Sequence, residues 1–600
     1  MRSRPLALAL AAAALAVSCS QQDRANRRIA ILPFENLSAN PALEWMGRGF
    51  AEAVRLQLEG CPRTEPITIV SLRDLPAARA TQVLEGYFDI RGGRLHVEAV
   101  LQDARRIRHV GTLRAAGSNE WDPLPLARAV AAGIDPLARP LPTNSPAAFA
   151  AYIEGIAAIN PTAADSGFDR AVGADPGFAA AYVEWLQSLT ARGDTAPAIR
   201  LLAAARQRSG AFPALERARL DLTAARLAGD RAGERNALVA LTRTDPADTS
   251  VYRRLSELDA AAHSFGNAAA FLQQAADRDP DDVLLLNQLG YLRAWAGDLG
   301  GAVKALERYR SMRPDETNPI DSLGDVYYWS GRFSEAERTY REAYAKSPAF
   351  LDGVDLYKAA WARLFAGDRN AADAAMAEYL QSRASAGDPL VEWHRAEWEH
   401  ASGRQDAAVA RLERFAPAAQ PARASFAYAQ LAIWAADRKD LARAREYALK
   451  APSALPVGLL ARFLIEPPAS AAEWRARAAS AFPSPAQAKL RRLALAYALL
   501  GSQQFADALG PLQELYDTAD PSSPDWPGIP LAWALGETGK PVPALLVGNP
   551  APNPAAEGPV QSLTFPRALY VRGVLAARQG RRDEAQASLK LFSEYSGASR

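Results

Sequence analysis

Histidine and carboxylate side chains could hold a metal or move a proton, and their spacing in this chain argues against both roles. The densest group is "EWHRAEWEH" at residues 392–400, in which His394 and His400 stand six residues apart. Metal-binding pairs on a helix stand three or four residues apart, so this spacing predicts a solvated helix. The sequence also has no Gly-x-x-x-x-Gly-Lys phosphate loop, Gly-x-Ser-x-Gly elbow or His-Glu-x-x-His zinc motif. We expect no catalytic residue, no cofactor and no metal, and predict that the protein is not an enzyme.

The two cysteines, Cys19 and Cys61, predict a different kind of chemistry. Cys19 closes "LAVSC", after two arginines and a short apolar run, and this start predicts a secretory signal. The segment resembles the bacterial lipobox, in which the cysteine sulfur is diacylated and becomes the new N-terminus. This resemblance implies a signal peptide at 1–18 and a lipid anchor at Cys19; the alternative is an ordinary signal peptide with Cys19 there by chance. The residue after Cys19 is Ser20 rather than Asp, so the resemblance implies that the lipid-anchored protein lies on the periplasmic face of the outer membrane. For the other cysteine, Cys61, we expect a buried position in which it acts as a small apolar residue.

A repeat of thirty-four residues runs through the second part of the chain. Leu-Gly at 289–290 returns at 323–324, a later glycine recurs at Gly297, Gly331 and Gly367, and prolines follow the same interval. This is the tetratricopeptide pattern, in which each unit is a pair of antiparallel helices. The glycine between the helices takes a left-handed turn, small residues let the helices touch, and the proline ends the pair. The sequence therefore predicts a mainly α protein, a helical-hairpin repeat solenoid of the tetratricopeptide superhelix type, over residues 145–600.

The repeat predicts where a partner would bind. In tetratricopeptide arrays the first helix of each pair lines the concave groove, and large aromatic side chains anchor proteins and peptides well. Carried over position by position, the resemblance implies a partner-binding groove of Asn287, Tyr291, Trp295, Asp321, Asp325, Tyr328, Trp329, Trp361 and Phe365. The alternative is that the aromatic residues pack between repeats as core. The two aspartates lack the basic residues with which tetratricopeptide clamps hold carboxyl termini, so a C-terminal peptide ligand is not favoured.

Residues 28–140 predict a separate α/β domain with a mixed sheet, preceded by a linker at 19–27. A short apolar strand, "IAILPF", is followed by a helix ending near residue 58 and a second strand at 67–71, "ITIVS". Three antiparallel strands follow, of which the first two are joined by Gly92-Gly93, and a helix at 124–134 closes the domain. The stretch "IAILPFENLSANPALEWMGRGFAEAV" is similar to the opening of the TolB amino-terminal-like domain. That resemblance implies an interaction module and not a catalyst.

Composition and pattern together predict a scaffold. The net charge is +2 and no basic block stands out, so we expect no nucleic-acid partner. The first hypothesis is a non-catalytic, lipid-anchored protein of the cell envelope that binds proteins or peptides in the groove of its repeats. The alternative is a sensory or regulatory protein whose N-terminal domain binds a ligand or partner and relays that event through the repeats.

Overall fold

The computed structural model describes residues 25–104, 106, 108–117, 121–451, 465, 470–519, 521, 526–542 and 566–596. The predicted signal peptide and Cys19 lie outside the described residues. Two compact units divide the chain: the first comprises the residues up to Leu258 together with Ala270–Asp282, and the second comprises Asp259–Ala269 together with Val283 onward.

The first unit begins with a six-stranded mixed sheet, which confirms the predicted class of the N-terminal domain. The spatial order is β3-β1-β4-β5-β6, with β2 paired beside β4. β1 runs parallel to β3 and β4, whereas β4, β5 and β6 form an antiparallel meander. The strands are β1 (Arg27–Ile31), β2 (Glu35–Asn36), β3 (Thr64–Thr68), β4 (Gln82–Arg91), β5 (Arg94–Asp103) and β6 (Arg108–Ala116).

The second strand lies three residues earlier than the sequence predicts. The pattern favoured 67–71 because it is rich in β-branched residues, but the sheet uses 64–68 and includes Pro66. Proline is tolerated there because β3 is an edge strand that pairs with β1 alone. Val70 has left the sheet and is 75% exposed.

Helices pack against one face of this sheet and then continue as pairs through the rest of the chain. Phe34, Phe50 and Phe88 form the centre of the sheet–helix core, with ring centroids 5.3 and 5.5 Å apart. Cys61 lies in the same core and is 1% exposed, as expected from the sequence.

In the first unit the helices are α1 (Trp45–Leu58), α2 (Leu75–Ala78), α3 (Leu124–Ile134), α4 (Pro146–Ala157), α5 (Pro161–Ala174), α6 (Ala179–Ala191), α7 (Thr195–Arg208), α8 (Ala214–Ala228) and α9 (Arg231–Thr244). Next come α10 (Thr249–Ala261) and α11 (Phe265–Arg278). The second unit then has α12 (Val283–Trp295), α13 (Leu299–Met312), α14 (Asn318–Trp329), α15 (Phe333–Lys346), α16 (Val354–Phe365), α17 (Arg369–Ser385), α18 (Val391–Ala401), α19 (Gln405–Ala418), α20 (Pro421–Asp437), α21 (Leu441–Lys450), α22 (Ala471–Ala481), α23 (Ala488–Gly501), α24 (Phe505–Tyr516), α25 (Gly528–Glu537), α26 (Arg567–Arg578) and α27 (Arg582–Tyr595). Short 3-10 turns occur at Pro41–Leu43, Leu72–Asp74, Ser209–Ala211, Phe350–Gly353 and Pro485–Gln487. None of the described helices combines the length and the apolar character that crossing a membrane requires.

The packing of these pairs confirms the predicted helical-hairpin repeats. Gly297, Gly331 and Gly367 stand between the paired helices with φ of +84°, +74° and +84°. A Cβ added at Gly290 would lie 2.6 Å from Leu306 Cγ, and one added at Gly324 would lie 2.6 Å from the Tyr340 ring. The first helix of each pair therefore touches the second at these glycines, as the spacing predicts.

Ion pairs join the α/β domain to the first repeats inside the first unit. Glu59, at the end of α1, is salt-bridged to Arg55, to Arg139 at 3.2 Å and to Arg219 of α8 at 3.0 Å. Burial alone would raise the pKa of Glu59, but the three arginines outweigh it and lower the pKa to about 2. Gly60 N–H also donates to Asp245 Oδ1 at 3.0 Å, which ties the same turn to the end of α9.

Candidate functional site

Three of the predicted groove residues meet as an aromatic cluster on successive repeats. The Tyr291 and Trp329 rings are 5.3 Å apart, and the Trp295 ring lies 5.9 Å from each of them. The Phe265 ring extends the row, 5.4 Å from Trp295. Tyr291, Trp295 and Trp329 are each partly exposed, so this aromatic cluster presents apolar surface to solvent.

Helical geometry produces the cluster. Tyr291 and Trp295 are one turn apart at the end of α12, and Trp329 is the last residue of α14, thirty-four residues after Trp295. Equivalent positions of neighbouring repeats lie side by side in a solenoid, so one repeat length brings the two tryptophans together.

A buried charged network lies beside the aromatic cluster. Lys358 Nζ donates to Asp321 Oδ1 at 2.6 Å and to Asp325 Oδ1 at 2.9 Å. The Tyr291 hydroxyl donates to Asp325 Oδ2 at 3.1 Å, and the Tyr340 hydroxyl donates to Asp325 Oδ1 at 2.8 Å. Asp325 therefore receives hydrogen bonds from three repeats, and it fixes the orientation of the Tyr291 ring in the aromatic cluster.

The network also holds a carboxyl that keeps its proton. Asp355 is completely buried, and neither of its oxygens receives a hydrogen bond from a neighbouring donor. Burial, reinforced by the negative charge of Asp321, raises the pKa of Asp355 to about 9. A neutral Asp355 removes the repulsion between its own carboxyl group and the nearby Asp321 carboxylate, which is how two neighbouring carboxyl groups become compatible.

The neighbouring aspartates stabilise the charged form of Lys358. Burial lowers the pKa of Lys358, but attraction to Asp325 and Asp321 outweighs it and raises the pKa overall. Burial likewise raises the pKa of Asp325, against the opposing effect of Lys358. At neutral pH the lysine is therefore charged and fully engaged by the two aspartates.

The remaining predicted groove residues differ in accessibility. Tyr328, Trp361 and Phe365 are 0%, 4% and 4% exposed and belong to one hydrophobic core cluster. Trp361 packs against the Trp398 ring at 5.6 Å. In this structure these three side chains pack between repeats, the alternative that the sequence left open for the aromatic residues.

Asn287 is partly exposed and lies one turn before Tyr291 on α12. Its Oδ1 and the Trp295 Nε1 are both shielded from solvent without a hydrogen-bond partner among the described residues. A shielded polar atom without a partner costs about 1–3 kcal/mol, and a hydrogen bond to water or to a bound polar group removes that cost.

Lys358, Asp355 and Tyr340 are the members of the site that sequence reasoning missed. Lys358 is the signal that could have revealed the network: it interrupts the apolar helix "LYKAAWARLF" one repeat after the aspartate pair. A charged side chain on the apolar face of such a helix is buried only when a partner neutralises it. The lack of basic residues inferred for Asp321 and Asp325 is corrected by this lysine, which comes from the following repeat.

The two histidines of "EWHRAEWEH" are buried, so the expected solvated setting is wrong for them. His394 and His400 are 3% and 5% exposed. The His400 ring stacks on Trp434, with centroids 4.3 Å apart, and burial lowers the pKa of His400 to about 3. Within the part of the chain that the structure describes, no group of three or more His, Cys, Asp and Glu side chains is arranged to hold a metal ion.

Comparison with known proteins finds solved structures that are similar to parts of this chain, but it finds no matching sequence family. No family model matches the chain, and no curated protein matches it. A crystal structure of MamA protein is 19% identical, with a TM-score of 0.24, and the match covers 27% of this chain and 88% of that one. A tetratricopeptide repeat protein from Parabacteroides merdae is 14% identical with a TM-score of 0.29, over 40% of this chain and 91% of that one. The Pseudomonas aeruginosa protein pilF is 15% identical with a TM-score of 0.23, over 33% and 89% of the two chains.

Proposed function

We propose that this protein is a non-catalytic scaffold that binds partner proteins or peptides along the groove of its helical repeats. The observation that carries the proposal is the aromatic cluster of Tyr291, Trp295 and Trp329, which is partly exposed on successive repeats. Aromatic side chains supply large contact area at low cost in conformational entropy, and they dominate the binding energy of many protein interfaces.

The charged network supports this role because it holds the cluster in place. Two hydrogen-bonded tyrosines and a buried lysine converge on Asp325, so the Tyr291 ring is fixed before any partner arrives. Groups that are ordered in the free protein lose less entropy on binding. The accessible surface is aromatic and the nearby charges are already paired, which favours apolar partner side chains over charged ones.

Attachment to a membrane is a second part of the proposal. It rests on the resemblance of the sequence around Cys19 to a lipobox, and a lipid-modified Cys19 would place the repeats at the surface of the cell envelope, facing the periplasm. A multiply acylated cysteine is held firmly because each buried methylene contributes about 0.8 kcal/mol.

One set of purifications tests both parts. The full-length protein is compared with Trp295→Ala/Trp329→Ala and with Trp121→Ala, a control that removes a tryptophan 55% exposed in the α/β domain. We expect the double variant to lose partner capture about tenfold or more, as for truncation of anchor residues, while the control captures as the wild type does. Equal capture by all three folded proteins contradicts groove binding, and a mature protein with unmodified Cys19, measured by mass, contradicts the anchor.

A further inference from the structure

A cavity of about 150 Å³ lies in the second unit, where the ends of α20 and α23 meet one side of α25. Its described lining contains no residue of the aromatic cluster, so it is a separate feature of the repeats. Pockets for drug-sized ligands usually measure about 300–1,000 Å³. The cavity therefore has room for a small molecule but not for a folded partner.

Apolar side chains make up most of the wall of this cavity. Ile433 and Leu500 are 1% and 4% exposed, and each is anchored in a hydrophobic core. Ile529 and Trp533 of α25 are partly buried and add aliphatic and aromatic surface. Such a wall favours a ligand with an apolar body, because binding removes apolar surface of the ligand and of the wall from water.

Hydrogen-bond donors line the same cavity without enough acceptors to match them. Arg567 donates from Nη2 to Asp437, and its guanidinium lies 5.2 Å above the Trp533 ring, so these two contacts hold it at the wall. Its Nε and Nη1, the Lys439 ammonium and the Gln503 amide have no hydrogen-bond partner among the residues that the structure describes. Two cationic side chains thus share one carboxylate, and the cavity is suited to an anionic group.

Two of these donors occupy turn positions that other repeats give to glycine. Gly297, Gly331 and Gly367 each stand two residues after the first helix of a pair, in the left-handed conformation. Lys439 and Gln503 stand at the same position of their own pairs, with φ of +61° and +59°. This conformation is less favourable for a side chain than for glycine, and residues held in it concentrate at functional sites. Both side chains line one cavity, which gives them a use that glycine could not supply.

We propose that this cavity binds a small monocarboxylate with an apolar chain, of the size of a medium-chain fatty acid. The chain lies against Ile433, Leu500 and Trp533, and the carboxylate accepts hydrogen bonds from Lys439 and Arg567. A guanidinium matches the planar carboxylate group, and the ammonium adds a second positive charge. The proposal does not rest on the scaffold function, because binding of a small molecule needs no protein partner.

Isothermal titration calorimetry of the full-length protein with octanoate, below its critical micelle concentration, tests the site. Lys439→Gly removes the ammonium and relaxes the left-handed turn, so the variant should fold and unfold at a temperature no lower than the wild type. We expect it to bind octanoate about tenfold more weakly, because a hydrogen bond to a charged group is lost. Lys304→Ala, at an exposed lysine of α13 outside the cavity, is the control and should bind as the wild type does.

Two further ligands separate the contributions of the charge and of the apolar chain. Octanol has the chain without the carboxylate and acetate has the carboxylate without the chain, so both should bind the wild type more weakly than octanoate. The proposal is overturned if octanoate does not bind the wild type, if octanol or acetate binds as tightly as octanoate, or if Lys439→Gly binds octanoate with wild-type affinity. None of these results bears on partner capture by the aromatic cluster, so failure of this site and failure of the proposed function remain distinct.

Discussion

Asp355 has an environment unlike that of an ordinary side chain on a repeat helix. It is fully buried, with Asp321 and Lys358 as charged neighbours, and its pKa is raised to about 9, chiefly by burial. In the unfolded chain an aspartate titrates near 3.9. Between these two values the folded protein holds a proton that the unfolded chain has released, so stability falls as the pH rises through this range.

Asp355→Asn removes this penalty, because the amide is neutral at every pH and has the shape of the protonated carboxyl group. We expect the variant to have a larger free energy of unfolding than the wild type. The difference between the two free energies grows as the pH rises towards about 9, by at most about 1.4 kcal/mol per pH unit. Urea unfolding at pH 6, 7.5 and 9 measures it. Asp352→Asn, at a carboxyl 87% exposed, is the control for removing an aspartate charge at the surface. A difference between Asp355→Asn and the wild type that stays constant with pH would contradict the raised pKa of Asp355.

The individual residues of the site were predictable only in part. Tyr291, Trp295 and Trp329 could be found because they occupy groove positions of a regular repeat. The burial of Tyr328, Trp361 and Phe365 could not, because it depends on packing partners far along the chain, such as Leu569 and Trp398. The pairing of Lys358 with Asp321 and Asp325 likewise joins helices that a single repeat unit does not contain.

At the scale of the helix pair, glycine has two roles that the structure separates. In some positions it makes room for the partner helix, as Gly324 does beneath the Tyr340 ring, which Asp325 holds in place. In others it has no contact: Gly300 lies on the exposed side of α13, and a Cβ there meets nothing within 4 Å. The same substitution should therefore have opposite effects at the two sites.

Gly324→Ala is expected to destabilise the second unit by about 1–3 kcal/mol, because the added methyl would lie 2.6 Å from a ring that cannot move freely. Gly300→Ala should instead stabilise it by about 0.5–1 kcal/mol, because alanine loses less backbone entropy in a helix. Thermal unfolding of the two single variants measures both effects. A loss of stability in Gly300→Ala, or none in Gly324→Ala, would show that the repeat contacts are misassigned.

The turns between paired helices were predicted correctly where a glycine marks them in the sequence. The turns without glycine and the strand β3 were not, and each has a local cause. The left-handed turns at Gly297, Gly331 and Gly367 follow directly from the repeat. Three further left-handed residues, His263, Lys439 and Gln503, are not glycine, so the search for glycine misses these turns. The sequence predicts β3 at 67–71, because strand propensity favours the β-branched residues there. In the structure the strand lies at 64–68, because pairing with β1 decides its position.

At the scale of the whole molecule, the sequence pattern changes from that of an α/β domain to that of helical repeats near residue 140. Side-chain contacts nevertheless join residues on the two sides of that position. Glu59 of the α/β domain binds Arg219 of a repeat helix, and Arg28 of β1 binds Asp279 at 2.5 Å. Both pairs lie within the first compact unit. These ion pairs join positions more than 150 residues apart, and no periodicity in the sequence reports them.

Site-directed photo-crosslinking in intact cells tests the central claim, that partners bind at the aromatic cluster. A photoreactive phenylalanine analogue replaces Trp295 in one full-length variant and Lys304, an exposed residue of α13, the second helix of the same pair, in another. We expect crosslinked partner adducts from position 295 and none from position 304. Adducts of equal yield from both positions, or from position 304 alone, would contradict binding at the aromatic cluster.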